Sequence, residues 1–310
     1  MELIQKTNID FVGKRKFSFI ISAIIALVGL IGIVQIGRNA ANMGIDFSGG
    51  TAIQLNFSRP VPIDQARSVL ARHNLREVNL QQVSGSNRLL LKLGKTTVGS
   101  KNVAELINQV FQKEFPQHSF VIENCSEIGP SIGDKLKKDT LVAVGISMFG
   151  IVGYIAWRFD FRFGVGAIVA TLHDMLAMFA VFFVLNKEIN LLFITAVLTI
   201  AGYSLTDTVV VFDRIRENLH RTLHQPAEKV FNESINEVLS RSVVTSLTTF
   251  LAATSLLLLG GEVIHDFALA LVVGIIVATY SSIFIASPVV LELETRKSRR
   301  ALNSAREEAS

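Results

Sequence analysis

Cysteine is nearly absent from this chain of 310 residues, which has a single one, Cys125. One thiol excludes an intramolecular disulfide and any metal site built from several cysteines. In a polar stretch a lone cysteine is typical of a small buried hydrophobic residue. Charged residues are also scarce, at 18% of the chain, whereas hydrophobic residues make up 50%. This balance excludes an ordinary soluble domain and favours a membrane protein.

The usual marks of an enzyme are missing as well. No His, Cys or acidic pair in the polar part of the chain has the spacing of a metal site or of a catalytic group. GIDFSGGT at 44–51 has three glycines, but no Lys-Ser/Thr follows it, and it leads into a strand. A phosphate loop is therefore disfavoured, and a glycine-permitted bend at Gly49 and Gly50 is favoured. We expect no catalysis, no cofactor and no metal.

Long apolar runs are what the chain has in abundance. A helix needs about 20 apolar residues to cross a bilayer core, and it must satisfy its own backbone groups there. Six runs qualify as α-helical spans, at roughly 17–36, 139–157, 163–185, 191–212, 242–260 and 266–291. No A-x-A cleavage pattern ends the first run, which favours a retained anchor over a signal peptide.

The basic residues predict the orientation of these spans. They concentrate on the side that carries both termini: Lys6, Lys14, Arg15, Lys16, Arg158, Arg162, Arg214, Arg216, Arg221, Lys229, Arg296, Lys297, Arg299 and Arg300. The short loops on the other side have only Lys187, and both termini are therefore expected in the cytoplasm. Lys135, Lys137 and Lys138 disagree, but they follow a long segment, and long segments cross largely regardless of charge.

The polar segment between the first two spans predicts a small α+β domain. Strand patterns at 51–58, 77–83, 88–93 and 119–128 alternate with helix patterns at 62–73 and 102–115, and SGSN forms a turn after the second strand. The order β-α-β-β-α-β is the split, ferredoxin-like arrangement. The predicted fold class is an α-helical polytopic membrane protein with six transmembrane helices and one ferredoxin-like extracytoplasmic domain between helices 1 and 2.

Four regions follow from this pattern. They are a cytoplasmic N-terminus with the first span (1–37), the extracytoplasmic domain (38–130), spans two to six with an amphipathic cytoplasmic segment at 216–240 (131–291), and a basic cytoplasmic tail (292–310). The second span opens with IGPSIGDKL, in which Gly129, Pro130 and Gly133 predict a defined joint, or else an ordinary linker. Ser131 and Asp134 have the spacing of a capping box.

Ionisable residues inside the spans are the strongest functional candidates, because each costs roughly 2.5–3.5 kcal/mol on insertion scales. The third span contains His173 and Asp174, the fourth contains Asp207, and the fifth opens with Arg241. If the fourth and fifth spans are antiparallel neighbours, Asp207 and Arg241 meet near their cytoplasmic ends. Two interpretations stay open for this pair: a fixed arrangement, in which Arg241 either forms an ion pair with Asp207 or reaches the lipid phosphates, and a proton-dependent switch.

Two further groups of polar residues accompany these candidates. Asp213 points away from the helical stripe of Asp207, and residues 213–218 are interpreted as a charged helix end at the membrane surface. In the fifth span Arg241, Thr245, Thr248 and Thr249 share one face, where small hydroxyl residues favour close packing and hydrogen bonds between helices. For His173 and Asp174 a bond across helices and a place on a proton path are equally open.

Several of these motifs together resemble the SecD/SecF family of bacterial protein-export accessory subunits, relatives of the resistance-nodulation-division exporters. They are GIDFSGGT, IGPSIGDKL, RFDFRF, LHD, RSVVTS and the highly specific GYSLTDTVVVFDRIREN at 202–218. The resemblance covers nearly the whole chain. It assigns proton coupling to Asp207 and Arg241, although Thr206 stands where most members have Asn.

The resemblance also implies a function and partners. A heterodimer with SecD in the bacterial inner membrane would use the proton-motive force to promote late steps of SecYEG- and SecA-dependent export, with a YajC-like accessory subunit and the translocating polypeptide as further partners. No nucleic acid is implied. Two alternatives stay open: a proton-coupled exporter of small molecules or lipids, and a passive scaffold for SecD.

Overall fold

Six long apolar helices dominate the computed structural model, which describes residues 7–38, 42–73, 75, 78–82, 87–94, 103–222 and 225–296. In chain order the elements are α1 (Arg15–Gly37), α2 (Ile45–Ser48), β1 (Gly50–Phe57), α3 (Ile63–Arg72), β2 (Asn79–Gln82), β3 (Arg88–Leu93), α4 (Val103–Glu114), β4 (Phe120–Ile128), α5 (Pro130–Arg158), α6 (Phe161–Val184), α7 (Leu191–Arg221), α8 (Ala227–Leu259), α9 (Glu262–Ser281) and a π-turn (Ser282–Ala286). After the π-turn the helix continues to Arg296. Length and apolar composition qualify α1, α5, α6, α7, α8 and the α9 helix to cross a membrane. The predicted fold class is confirmed.

The amphipathic segment predicted at 216–240 is not an element of its own. Helix α7 continues to Arg221, and α8 already begins at Ala227. The predicted segment therefore consists of the polar ends of two long helices. Its amphipathic pattern arises because Phe231 and Ile235 on α8 pack into the core of the helical bundle while their neighbours stay polar.

Residues 43–142 form one unit, built around a four-stranded antiparallel sheet in the order β2-β3-β1-β4. Along β1 every second side chain is buried, including Ile53, Leu55 and Phe57. These side chains pack with the apolar faces of α3 and α4, such as Leu70 and Phe111, in a single core. Most of the predicted SGSN turn and part of the 77–83 strand lie outside the described residues.

The glycines of GIDFSGGT form a sharp bend between α2 and β1. Gly49 and Gly50 have φ values of +67° and +128°, which residues other than glycine rarely adopt. The short helix α2 before the bend was not predicted. A Cβ atom on Gly50 would lie 2.2 Å from the carbonyl oxygen of Leu93, so this strand start also requires a residue without a side chain.

Two local expectations for this unit are wrong. Cys125 is exposed, because β4 is an edge strand of the sheet and residues 123–127 along it are uncovered. Ser131 is not the N-cap of α5, because the helix begins one residue earlier, at Pro130. Proline suits the first helical position, since it has no N–H group to leave unpaired there.

Residues 1–42 and 143–310 contribute the second unit, the helical bundle. Helix α7 packs against α6, α8 and α9, and α1 lies along α6. The side chain of Asn190 caps α7 by accepting a hydrogen bond of 2.9 Å from the N–H of Phe193. In contrast, α5 is almost uncovered along its apolar length and joins the core near its end, through Ile151 and Ile155, with Phe159 directly after the helix.

Helix α1 lies against the backbone of α6 at Gly29. A Cβ atom there would lie 2.0 Å from the carbonyl oxygen of Leu176. We therefore expect Gly29→Ala to destabilise the bundle by about 1–3 kcal/mol, because α1 must move away from the backbone of α6. Thermal unfolding of the detergent-solubilised protein measures the effect.

The matched control is Gly37→Ala on the same helix, where a Cβ atom would have no neighbour within 4 Å. It should unfold at or slightly above the temperature of the unaltered chain, because alanine favours helix over glycine by up to about 1 kcal/mol. Equal unfolding temperatures for the two variants would contradict the proposed contact.

Candidate functional site

Asp174 is the most completely buried acid in the bundle. It lies on α6 with no exposed surface, next to His173, which is 6% exposed. The hydroxyl groups of Ser204 on α7 and Ser281 on α9 both donate to Oδ2 of Asp174, over 2.5 Å and 2.8 Å. The other oxygen, Oδ1, lies 3.3 Å from Nδ1 of His173. Three helices therefore meet at one carboxyl group.

The carboxyl group of Asp207 is hydrogen-bonded to Ser282, the residue that follows Ser281. Asp207 is half-buried on α7, and its Oδ2 accepts a hydrogen bond of 2.8 Å from the hydroxyl group of Ser282. Since Ser281 and Ser282 are consecutive, the two membrane-depth acids are connected through adjacent residues of the last span. We call His173, Asp174, Ser204, Asp207, Ser281 and Ser282 the carboxyl–serine cluster.

The cluster lies where the last span changes from an α-helix to a π-turn. Ser281 is the last residue of α9, and Ser282 opens the π-turn. The carbonyl oxygen of Ser282 accepts a hydrogen bond of 3.0 Å from the hydroxyl group of Ser287. π-Helical turns are rare in proteins, and a large share of those that occur lie at functional sites.

Further hydroxyl groups surround the cluster. Tyr280 donates to the carbonyl oxygen of Ser18 on α1 over 3.1 Å, and its ring lies beside that of His173, at 6.3 Å between centroids. The other ring nitrogen of His173, Nε2, is buried and makes no hydrogen bond within the described residues. His173 thus has one ring nitrogen beside Asp174 and one without a partner among the described residues.

Arg241 is not part of the cluster. Its side chain is exposed on α8, and among the ion pairs of the described residues none joins it to Asp207. The two charges therefore form no ion pair with each other among the described residues of this structure. One residue further along α8, a rotation of about 100°, Ser242 is buried, so the helix directs Arg241 away from the core.

The polar stripe predicted on the fifth span also lies on the uncovered side. Thr245 and Thr248 are exposed, and the hydroxyl group of Thr248 bonds to its own helix, at the carbonyl oxygen of Thr245. The interhelical contacts are made instead by Ser246, which accepts hydrogen bonds from Thr279 on α9 at 2.8 Å and from Tyr203 on α7 at 3.3 Å. Within the described residues, the Arg241 stripe therefore makes no side-chain hydrogen bond to another helix of this chain.

The charged end of α7 forms ion pairs with two other helices. Asp213 pairs with Arg158 at the end of α5, at 2.9 Å. Arg214 pairs with Glu237 on α8 at 2.5 Å. Asp213 and Asp207 thus differ as their helical positions predict: one forms an ion pair at the helix end, and the other accepts a hydroxyl hydrogen bond nearer the middle of the helix.

The segment before α1 is hydrogen-bonded to α8 at the same end of the bundle. The side-chain oxygen of Asn232 accepts from the N–H groups of Phe11 and Val12, both at 3.0 Å, and its amide donates to Asp10 over 2.6 Å. This hydrogen bond, with a second from the N–H of Gly13, holds the pKa of Asp10 below its usual value. Asn236 fastens Ile9 in the same way.

The glycines proposed as a joint differ in their surroundings. Gly129 has no neighbour within 4 Å of an added Cβ atom. A Cβ atom on Gly133 would lie 3.1 Å from the backbone nitrogen of Gly49. The first turn of α5 therefore packs against the glycine bend, and residues up to Val142 belong to the same unit as the sheet.

Sequence reasoning missed Ser204, Ser281 and Ser282. The signal for the last two was present in the polar run Tyr280-Ser281-Ser282 inside an otherwise apolar span. The cluster offers carboxyl, imidazole and hydroxyl groups, which can bind and pass protons. Within the described residues no group of three or more His, Cys, Asp and Glu side chains is arranged to hold a metal ion.

Two family models match the chain. Residues 107–296 match the protein export membrane protein SecD/SecF, C-terminal, and residues 41–61 match the SecD/SecF GG motif. The protein translocase subunit SecF of Thermodesulfovibrio yellowstonii is 48% identical over 94% of this chain and 97% of its own length. The subunit of the same name from Calditerrivibrio nitroreducens is 39% identical over 96% and 99%.

Solved structures agree with these relatives. The crystal structure of SecDF from Thermus thermophilus, a translocon-associated membrane protein, matches 95% of this chain with a TM-score of 0.83 and 35% identity. A second SecDF crystal structure, in a super-membrane-facing form, matches 98% with a TM-score of 0.70 and 34% identity. This chain covers only 40% and 41% of those longer chains.

Proposed function

The chain belongs to the SecD/SecF family of protein-export membrane proteins, as a multi-pass subunit of the SecF type, and from this premise we propose that it couples proton movement to protein export. In the proposal it acts with SecD in the bacterial inner membrane, with both termini in the cytoplasm. It uses the proton-motive force to promote late steps of SecYEG- and SecA-dependent export, and a YajC-like subunit accompanies the complex.

The observation that carries this proposal is the placement of Asp207. A carboxyl group is costly at membrane depth, yet here its described contact is the hydroxyl group of Ser282 rather than a cation. A permanent ion pair would fix its charge, whereas a hydroxyl group serves both charge states, because it donates to a carboxylate and accepts from a neutral carboxyl group. Asp207 is thus suited to gain and lose a proton.

In the proposed cycle Asp207 takes up a proton from the outer side and releases it towards the cytoplasm. The arrangement with Asp207 on Ser282 is one state, and an ion pair between Asp207 and Arg241 is another. His173 and Asp174 extend the proton path. Each charge that crosses supplies about 2.3 kcal/mol per 100 mV, which is comparable to the bias needed to repack a helical interface. Residues 128–134 transmit the repacking to the outer domain.

The uncovered helices support SecD as the partner. Only 6% of the residues in the apolar stretch of α5 and 17% of those in the apolar stretch of α8 are buried, although both helices are long enough to span a membrane. Because this chain corresponds to about 40% of the SecDF chain of Thermus thermophilus, we assign to SecD the part of that assembly that this chain lacks. The exposed stripe of Arg241, Thr245 and Thr248 then faces the partner or a gap between the two subunits.

Arg241→Met tests the proposal against a passive scaffold. In membrane vesicles that contain this chain, SecD and the SecYEG–SecA machinery, we expect the variant to lose at least half of the export that an ionophore abolishes, because Asp207 then lacks its cationic partner in one state. The remaining, ATP-driven export should be unchanged. The measurement is protection of a preprotein from added protease, with and without the ionophore.

Arg216→Met is the matched control, since it removes a positive charge from α7 beyond the span of Asp207. It should export like the unaltered protein. If Arg241→Met assembles with SecD and exports normally, the protein is a scaffold and the coupling proposal fails.

A further inference from the structure

Ser281 and Ser282 each have one hydroxyl hydrogen and two acceptors within reach. The hydroxyl oxygen of Ser281 lies 2.8 Å from Oδ2 of Asp174 and 3.2 Å from the carbonyl oxygen of Ala278. That of Ser282 lies 2.8 Å from Oδ2 of Asp207 and 3.1 Å from the carbonyl oxygen of Thr279. Each hydrogen therefore has a choice between an acid on another helix and the backbone of its own helix.

The charge of the acid decides this choice. An ionised carboxylate can only accept, and it draws the hydroxyl hydrogen towards itself with a charge-assisted bond. A protonated carboxyl group is itself a donor, and then the serine oxygen accepts while its hydrogen turns to the backbone carbonyl group. Each serine thus has two donor positions, and proton binding at the acid selects between them.

The two serines cannot respond independently, because they are consecutive residues at the junction of α9 and the π-turn. Both alternative acceptors, the carbonyl groups of Ala278 and Thr279, lie in the last turn of α9. Ser282 also presents its own carbonyl oxygen to the hydroxyl group of Ser287. A proton at either acid therefore changes hydrogen bonds in the same helical turn.

None of the other titratable or charged groups near α7 links Asp174 to Asp207 among the described contacts. At membrane depth the titratable or charged residues on elements packed against α7 are His173 and Asp174 on α6, Arg241 on α8 and Tyr280 on α9. Arg241 is exposed, and Tyr280 bonds to α1 through Ser18. His173 contacts Asp174.

We propose that Ser281 and Ser282 are positioning residues that couple proton binding at Asp174 to proton binding at Asp207, so that the two acids act as one unit. The inference rests on the proposed proton coupling and adds to it a second proton-binding acid and the device that connects the two. In this arrangement Asp174 senses the state of Asp207 without touching it, through the last turn of α9.

The test is infrared spectroscopy of protonated carboxyl groups in the intact complex with SecD, recorded as a function of pH. Asp207→Asn and Asp174→Asn identify the contribution of each acid. Ser282→Ala should shift the pH midpoint of the Asp207 band by about one unit, because the variant loses a hydroxyl group whose bonds to the charged and the neutral form differ in strength. It should also move the midpoint of the Asp174 band in a measurable way, since the two acids are coupled.

Control variants separate this coupling from a structural effect. Ser246→Ala removes a buried serine that accepts hydrogen bonds from Thr279 and Tyr203 and contacts no acid in this way, and it should leave both midpoints in place. Ser282→Thr keeps the hydroxyl group and should restore the midpoints. In a variant lacking both Ser281 and Ser282 hydroxyl groups, Asp174→Asn should no longer affect the Asp207 band. The inference is overturned if Ser282→Ala leaves both pH midpoints unchanged, or if Ser246→Ala shifts them by as much as Ser282→Ala does.

Failure of the inference differs from failure of the proposed function. If Asp207→Asn abolishes ionophore-sensitive export while Ser282→Ala leaves both carboxyl bands unmoved, proton coupling stands and the serine connection is wrong. If Asp207→Asn exports normally, the proton-coupled function itself is wrong, whatever the bands show.

Discussion

Asp207→Asn should abolish the proton-dependent part of export while the subunit still assembles with SecD. Asparagine has nearly the same shape as aspartate, and its side-chain oxygen can still accept the hydrogen bond from Ser282. It cannot bind and release a proton, so the proposed cycle stops at its first step. We expect export in vesicles to fall to the level that an ionophore produces in the unaltered protein, and the ionophore to have no further effect.

Asp213→Asn is the matched control for this variant. Both acids lie on α7, but Asp213 pairs with Arg158 at the helix end and has no place in the proposed path. Its removal should cost no more than about 1 kcal/mol of stability, as is usual for a partly exposed ion pair, and should leave the ionophore-sensitive export intact. Co-purification of SecD with both variants establishes that assembly is retained. Ionophore-sensitive export in Asp207→Asn at the level of Asp213→Asn would refute the role of Asp207.

Gly50→Ala should destabilise the unit of residues 43–142 by about 3 kcal/mol or more, a large share of the 5–15 kcal/mol typical of a folded domain. Two penalties add at this position. Its φ of +128° is strained for any residue with a Cβ atom, at about 1–3 kcal/mol. The new Cβ atom would also lie 2.2 Å from the carbonyl oxygen of Leu93, which belongs to the backbone of β3 and cannot rotate away.

Hydrogen exchange in the intact protein measures this effect. The amide groups of β1 and β3 should exchange much faster in Gly50→Ala, because these strands are paired from Thr51 and Leu93 onward. Gly94→Ala, at the neighbouring end of β3, is the control, since an added Cβ atom there has no neighbour within 4 Å. Equal protection in the two variants would show that the bend tolerates a side chain.

The sequence predicted the fold well because hydrophobic periodicity is a strong signal. The six apolar runs correspond to six long helices. The alternation of apolar and polar residues in TAIQLNFS corresponds to β1, with Ile53, Leu55 and Phe57 in the core. The errors concern positions where periodicity carries no information. Whether a strand is an edge strand depends on pairing across the sheet, and for this reason the exposure of Cys125 was missed.

The candidate site could be predicted only in part, for a related reason. An acid in an apolar span stands out because of its cost, and His173, Asp174 and Asp207 were found in this way. Placing a serine in a membrane helix costs little free energy, so Ser204 and Ser282 gave only a weak signal in the sequence. Their role becomes visible only in the packing of α6, α7 and α9, which places them against the acids. The rotation of α8, which determines where Arg241 points, depends on contacts of Ser242 and Ser246 that no linear pattern specifies.

Because Cys125 is exposed, it provides a natural site for attaching a spectroscopic label. It is the chain's single cysteine and lies on the open edge of the sheet, so a thiol-reactive spin label or dye will attach at one known place without any prior engineering. Partial burial raises the pKa of this thiol, so labelling will proceed faster under mildly alkaline conditions. A second label on SecD would then test the proposed proton-driven movement of residues 43–142 as a change in a measured distance.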